Sequence, residues 1–139
     1  NNEPVRLRAL GEEIDEIAVA DYIDMVSNGI ITNETTIAEN PELVEDFVHA
    51  MLRGIADTLA DPEAAYEISK KYVEGLDDSR MNVLEASLLL WEVETPGITD
   101  PASWEQTERV LLEMGLIDRP LDDLEAAYTN RFVQTIEGE

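Results

Sequence analysis

The 139-residue sequence contains no cysteine and only one histidine, His49. The absence of cysteine excludes disulfide frameworks, thiolate metal sites and cysteine nucleophiles. A single histidine in an amphipathic stretch, with no positioned carboxylate partner, is a weak candidate for metal binding or acid-base catalysis. We therefore predict no catalytic residue, no metal site and no cofactor in this chain.

Basic residues are also scarce, since 9 Lys and Arg stand against 32 Asp and Glu and the formal net charge is -23. A surface this acidic repels phosphate backbones and anionic lipid headgroups, and it offers no basic stripe. We therefore expect no nucleic acid partner and no binding to membrane surfaces. The acidity is typical either of adaptation to high salt or simply of a highly charged surface.

Long apolar runs are missing as well, because acidic residues interrupt every one, and this predicts that no segment spans a bilayer. The first residues lack the basic and apolar regions of a signal peptide, so we expect an exported parent to carry one upstream. The length and the 44% hydrophobic content suit one modest folded domain.

What is present is a repeated helix start, in which asparagine or aspartate precedes proline at Asn40-Pro41, Asp61-Pro62 and Asp100-Pro101. The polar side chain accepts bonds from free amides of the first turn, and proline tolerates the first helical position. The first start is followed by an apolar stripe at helical spacing, which predicts a helix over 41–60. Its members are Leu43, Val44, Phe47, Val48, Met51, Leu52, Ile55 and Leu59.

Four further helices are predicted after residue 60. One begins at Pro62 and ends before Gly75, and the next opens near Ser79 and ends before Thr95-Pro96-Gly97, with residues 88–91 in the core. Another runs from Pro101 to Met114, where Gly115 suits a left-handed C-cap. The last covers about 121–132. Trp91 and Trp104 lie on apolar helical faces, which favours packing over a role as ligand platforms.

The first 39 residues have a different pattern. Clusters of β-branched residues at 16–20 and 29–32, separated by Asn28-Gly29, predict two strands, while residues 4–10 suit either a strand or a short helix. The predicted fold class is therefore α+β and mainly α, with short strands followed by about five helices. Because two strands alone are marginally stable, they need partners.

Several short motifs, in their order along the chain, carry a resemblance to a known family. They are Asn2-Glu3-Pro4, Val19-Ala20-Asp21-Tyr22, Asn28-Gly29-Ile30-Ile31-Thr32-Asn33-Glu34, Asn40-Pro41-Glu42, Ala50-Met51-Leu52-Arg53-Gly54, Asp61-Pro62-Glu63-Ala64-Ala65, Met114-Gly115-Leu116-Ile117 and Tyr128-Thr129-Asn130-Arg131-Phe132. The chain resembles the C-terminal portion of the nitrate, sulfonate and thiamin-pyrimidine-precursor class of periplasmic solute-binding proteins. In that class two α/β lobes close on a ligand, and the closed complex docks onto a membrane permease.

The resemblance implies that residues 1–28 are a remnant of the second lobe and that 29–139 form a crossover strand and helices packing on the first lobe. The implied ligand residues are Asn2, Glu3 and Tyr22. Their structural alternatives are a helix cap for Asn2 and Glu3 and a place in the lobe core for Tyr22.

The function that the resemblance implies is capture of a small polar or heterocyclic solute for an ABC import system, without bond chemistry. The implied partners are the solute, an ABC permease, and either a missing N-terminal part of the parent or a dimer partner, without which the segment is not expected to bind ligand. The implied location is periplasmic, or extracellular and membrane-anchored. Pyrimidine precursors, flavin-like heterocycles, sulfonates and nitrate all stay open as solutes.

Two other functions compete with solute binding. Relatives of this class include a thiamin-pyrimidine synthase that uses pyridoxal phosphate and consumes its own histidine, which here leaves only Lys70, Lys71 and His49 as candidates. The pattern of five helices alone also fits a free-standing helical interaction domain.

Overall fold

Seven α-helices make up most of the regular structure of residues 2–134, which are the residues that the computed structural model describes. They are α1 (Asn2–Ala9), α2 (Glu34–Glu39), α3 (Pro41–Ala60), α4 (Pro62–Ser69), α5 (Met81–Trp91), α6 (Pro101–Glu113) and α7 (Arg131–Gln134). Within this range, no helix has both the length and the apolar character needed to cross a membrane.

The chain divides into two units by its internal contacts. Residues 2–16 and 50–96 belong to the first unit, and residues 17–49 and 97–134 belong to the second. Helix α3 runs from the second unit into the first, because His49 and Ala50 lie on either side of the division. The lobe division at residue 28 that the family resemblance implies stays a prediction.

The three predicted helix starts are confirmed. Helices α3, α4 and α6 begin at Pro41, Pro62 and Pro101. Asp61 Oδ1 accepts a hydrogen bond from the amide of Ala64 at 3.0 Å, and Asp100 Oδ1 accepts one from Ala102 at 3.0 Å. Such caps satisfy amides that have no partner inside the helix. Because the capping carboxylate and the amide that donates to it lie within a few residues, the starts of α4 and α6 depend on local sequence alone.

The two predicted strands are wrong for the part of the chain that the structure describes. Residues 16–20 and 29–32 lie in no strand, and Val19–Asp21 instead form a short 3-10 turn. Ile17 is 78% exposed and Ile31 is 95% exposed. A strand forms only when a neighbour supplies partners for its amides and carbonyls, and no described segment does so here. The mainly helical part of the predicted fold class is correct.

Several helix boundaries also differ from the prediction. Helix α4 ends at Ser69, before Gly75, and residues 121–132 contain only a 3-10 turn at Glu125–Ala127 and the start of α7. Residues 4–10, for which a strand and a short helix were both predicted, lie largely in helix α1. Helix α2 was not predicted, although Asn33 Oδ1 caps it by accepting from the amide of Thr36 at 2.8 Å.

The first unit is organised around Tyr66 on α4. Its side chain is 6% exposed, and its hydroxyl donates a hydrogen bond of 2.6 Å to the carbonyl oxygen of Asp77. Helix α5 contacts both α1 and α4. The expected burial of residues 88–91 is wrong, because Leu89 and Leu90 are 75% and 64% exposed and no described residue of α5 is fully buried.

The second unit buries Val44 and Val48 of α3, Ser103 of α6 and Phe132 of α7. The ring of Trp104 stacks on Tyr128, with centroids 4.9 Å apart, so Trp104 packs as predicted. Its indole N–H donates to Thr99 Oγ1 at 2.9 Å. The amide of Asn130 pairs with both the N–H and the carbonyl of Thr99, each at 2.9 Å. These bonds hold the start of α6 against the segment that precedes α7.

Gly115 ends α6 in a left-handed conformation with φ of 67°. The amide of Gly115 donates to Leu112 O at 3.0 Å and that of Leu116 donates to Leu111 O at 2.9 Å. This pair of bonds is the Schellman arrangement that favours glycine. The predicted C-cap at Gly115 is confirmed.

Two glycine-to-alanine substitutions are expected to have opposite effects. Gly115→Ala places a Cβ in a strained backbone conformation and should lower the free energy of unfolding by about 1 kcal/mol. Gly54→Ala lies inside α3, where an added Cβ meets no atom within 4 Å, and should raise it by about 0.5–1 kcal/mol. Urea denaturation of both variants checks this, and shifts of the same sign would contradict the assignment of the C-cap.

Candidate functional site

A depression of about 360 Å³ lies in the second unit beside the first turns of α6. It is lined by Tyr22, Ile23, Asp24, Ala102, Ser103 and Gln106. One side is an irregular segment and the other is a helix surface. An aromatic ring, aliphatic groups, a hydroxyl, an amide and the Asp24 carboxylate meet here, so the lining offers both apolar and polar contacts to a small molecule.

Two hydrogen bonds attach the irregular segment to α6. The Ser103 hydroxyl donates to Asp24 Oδ2 at 2.8 Å, and the Val26 amide donates to Thr107 Oγ1 at 2.9 Å. Residues four apart lie on the same face of a helix, so both bonds leave one face of α6. Ser103 is 8% exposed, which limits competition from water. Residues 24–26 are thereby held at two points.

Tyr22 precedes residues 24–26 and lines the depression, and it is 81% exposed. An exposed aromatic ring beside a concavity offers a flat face on which a planar ligand can stack. Because Asp24 is held two residues later, the backbone next to Tyr22 is restrained before any ligand arrives. Such restraint lowers the entropic cost of binding.

The structure places the predicted ligand residues in different units. Glu3 lies exposed on α1 in the first unit, whereas Tyr22 belongs to the second unit. Asn2 is the first residue of α1, and its side chain lies outside the described part of the structure. Of the three, Tyr22 lines the depression beside α6, and the role of Asn2 and Glu3 in ligand binding stays a prediction.

Sequence reasoning missed Ser103, Gln106 and Thr107. Gln106 and Thr107 follow Ser103 by three and four residues, which places all three on one side of the predicted helix. That polar face was a usable signal. Their link to Tyr22 was not, because Ser103 and Asp24 are 79 residues apart in sequence and no local pattern joins them.

The first unit contains an acidic cleft of about 590 Å³ between α4 and the start of α5. Its lining comprises Asp61, Glu63, Ala64, Tyr66, Glu67, Asp78, Met81 and Glu85. Lys70 Nζ donates hydrogen bonds to Asp78 and Glu67. The bond to Asp78 first, and that to Glu67 second, raise the pKa of the Lys70 amine above its ordinary value. No group of side chains among residues 2–134 is arranged to hold a metal ion.

The groups at the depression suit binding better than catalysis. Its described lining contains no histidine, lysine or cysteine. The base that contacts the Ser103 hydroxyl there is the Asp24 carboxylate, and a carboxylate is a weaker general base than histidine at neutral pH. His49 lies on α3, with Nε2 at 4.0 Å from Glu45 Oε1. What the lining offers is stacking, apolar contact and hydrogen bonding.

Comparison with known proteins supplies independent information. Residues 1–65 match a family described as NMT1/THI5 like. The chain is 40% identical over 141 residues to the riboflavin-binding protein RibY of Chloroflexus aurantiacus, an alignment that covers 95% of this chain and 40% of that protein. It is 26% identical over 122 residues to the 4-amino-5-hydroxymethyl-2-methylpyrimidine phosphate synthase of Aspergillus parasiticus. That alignment covers 86% of this chain and 34% of the synthase. The chain thus spans less than half the length of these relatives. No solved structure matches it significantly.

Proposed function

We propose that this chain, which matches the NMT1/THI5-like family over residues 1–65 and resembles the solute-binding proteins as predicted, forms part of a protein that binds a planar heterocyclic solute for import. The solute is of the flavin or pyrimidine-precursor kind. Delivery to an ABC permease from the periplasm, or from an extracellular membrane-anchored position, is part of the same proposal.

The observation that carries this proposal is the 40% identity to a riboflavin-binding protein over 95% of the chain. The depression in the second unit is consistent with it. A flavin ring is flat and aromatic, and the exposed ring of Tyr22 provides a matching face. The Ser103 and Thr107 bonds hold the neighbouring backbone in place.

Binding without bond chemistry is the form of the proposal that the side chains favour. A lysine that forms a Schiff base must lose its proton, which a low pKa promotes. In Lys70 the two carboxylate partners act in the opposite direction, because they stabilise the charged amine.

The second candidate is a synthase activity, which the 26% identity to the pyrimidine phosphate synthase favours. That activity requires reactive side chains at one site. Lys70 belongs to the first unit and is engaged by Asp78 and Glu67, whereas His49 belongs to the second unit. Within the described residues, neither unit brings this lysine and this histidine together, so we rank the synthase below the binding protein.

Titration of the intact protein with riboflavin tests the proposal. We expect saturable quenching of flavin fluorescence with one ligand bound per protein, because stacking on an aromatic side chain quenches the ring. Bound ligand should also raise the thermal midpoint, because a hundredfold excess of ligand over Kd adds about 2.7 kcal/mol to the free energy of unfolding. The matched competitor is 4-amino-5-hydroxymethyl-2-methylpyrimidine. Recovery of both ligands unchanged after incubation is expected, whereas conversion of the pyrimidine or the absence of any binding would contradict the proposal.

A further inference from the structure

Gln106 lies on α6 one turn beyond Ser103 and lines the same depression as Tyr22. Its Oε1 atom accepts a hydrogen bond from Arg109 Nη1 at 3.0 Å. A guanidinium has only donors, so the amide atom that meets it must be the oxygen. This exposed bond therefore favours the orientation of the Gln106 amide in which Oε1 faces Arg109.

The remaining end of that amide is Nε2, which carries two N–H donors. The hydrogen bond that Gln106 forms with a described residue uses Oε1. No described side-chain nitrogen or oxygen is both sealed from solvent and unpartnered, so Nε2 is open to solvent in the ligand-free protein. Gln106 is half-buried. A half-buried donor without a protein partner is costly to cover with an apolar group and is satisfied by an acceptor atom.

We propose that Gln106 is a specificity-determining residue, which donates from Nε2 to a carbonyl oxygen or ring nitrogen on the edge of a planar ring stacked on Tyr22, and that Arg109 is its positioning residue. The inference deepens the proposed function and rests on it. The ligand class is a planar heterocycle with an acceptor on its edge. A flat ring whose edge carries donors alone leaves the Gln106 donors unpaired.

Two changes at Gln106 should weaken ligand binding to different extents. Losing one hydrogen bond between neutral groups weakens binding by about tenfold, while facing acceptor with acceptor adds repulsion to that loss. Gln106→Met keeps the length of the side chain and removes the donors. Gln106→Glu keeps the shape and replaces the donors by acceptors.

Riboflavin is the probe, and the intact protein carries the substitutions. We expect Gln106→Met to raise the Kd for riboflavin about tenfold and Gln106→Glu to raise it further. Arg109→Met frees the amide to rotate and should raise the Kd by a smaller factor, about threefold. Glu105→Met is the matched control, since Glu105 is an exposed neighbour on α6 that does not line the depression, and its Kd should equal that of the wild type.

The thermal midpoint of each ligand-free variant separates specificity from structure. Because Gln106 bonds to an exposed arginine, we expect the midpoints of all four variants to match the wild type. An unchanged Kd in Gln106→Met and Gln106→Glu overturns the role of Gln106 but not the proposed function. A higher Kd accompanied by a lower thermal midpoint has the same meaning. A wild-type protein that does not bind riboflavin overturns the proposed function and this inference together.

Discussion

Replacing Tyr22 by alanine is expected to weaken riboflavin binding by the intact protein about thirtyfold, because stacking of a planar ring on an aromatic side chain contributes about 2 kcal/mol. Tyr22 lines the depression beside α6 with its ring 81% exposed in the ligand-free protein. The face of the ring is therefore available to a ligand. Equilibrium titration followed by flavin fluorescence measures the change in Kd.

The matched control for this prediction is Tyr22→Phe, which keeps the ring and removes the hydroxyl. We expect its Kd to lie within about threefold of the wild type, since stacking depends on the ring face. Neither variant should change the free energy of unfolding by more than about 0.5 kcal/mol, as is usual for an exposed side chain. Equal binding by Tyr22→Ala and the wild type would remove Tyr22 from the site, and a large loss of stability in that variant would assign it to packing instead.

Replacing Phe132 by alanine is expected to lower the free energy of unfolding by about 3 kcal/mol, because the deletion of a buried ring loses its burial and leaves a cavity. Phe132 is 5% exposed in the second unit, and the Arg131 guanidinium lies 4.7 Å from the centre of its ring. Urea denaturation measures the loss.

Phe47→Ala is the matched control for Phe132, because it removes the same side chain from the same unit. Phe47 lies on α3 and is 53% exposed, so less surface returns to water and no closed cavity forms. We expect a loss of about 1 kcal/mol. Similar losses for the two variants would show that the second unit is not organised around Phe132.

The boundaries of α6 could be predicted because their causes are local. Asp100 and Ala102 are neighbours in sequence, and so are Gly115 and Leu112. A cap bond of this kind involves one turn of chain, so the residues that make it are visible together in the sequence. The apolar stripe of α3 was equally readable, although Val44 and Val48 are its only buried members.

The strands failed for the opposite reason. β-branched residues at 29–32 favour extended backbone, yet Ile31 lies 95% exposed, and none of the residues that the structure describes forms a strand beside it. Propensity for a strand describes how a side chain fits a pleated and half-buried surface. Where no neighbouring strand is present, that surface does not exist and the propensity has no effect.

The candidate site divides in the same way. Tyr22 was singled out from the sequence, but Ser103, Thr107 and Gln106 acquired their roles only from the fold. The bonds from Ser103 to Asp24 and from Val26 to Thr107 span 79 and 81 residues. Contacts at such separations depend on how the chain closes on itself, which a single sequence does not display.

The sequence by itself determined the acidic composition, the resemblance to the NMT1/THI5-like family and the starts of three helices, because charge, identity and caps are properties of residues and their near neighbours. Only the tertiary structure decided that the segment after Tyr22 is held on α6 and that Gln106 shares its depression. These features require residues from distant parts of the chain to reach hydrogen-bonding distance, and packing alone brings them there.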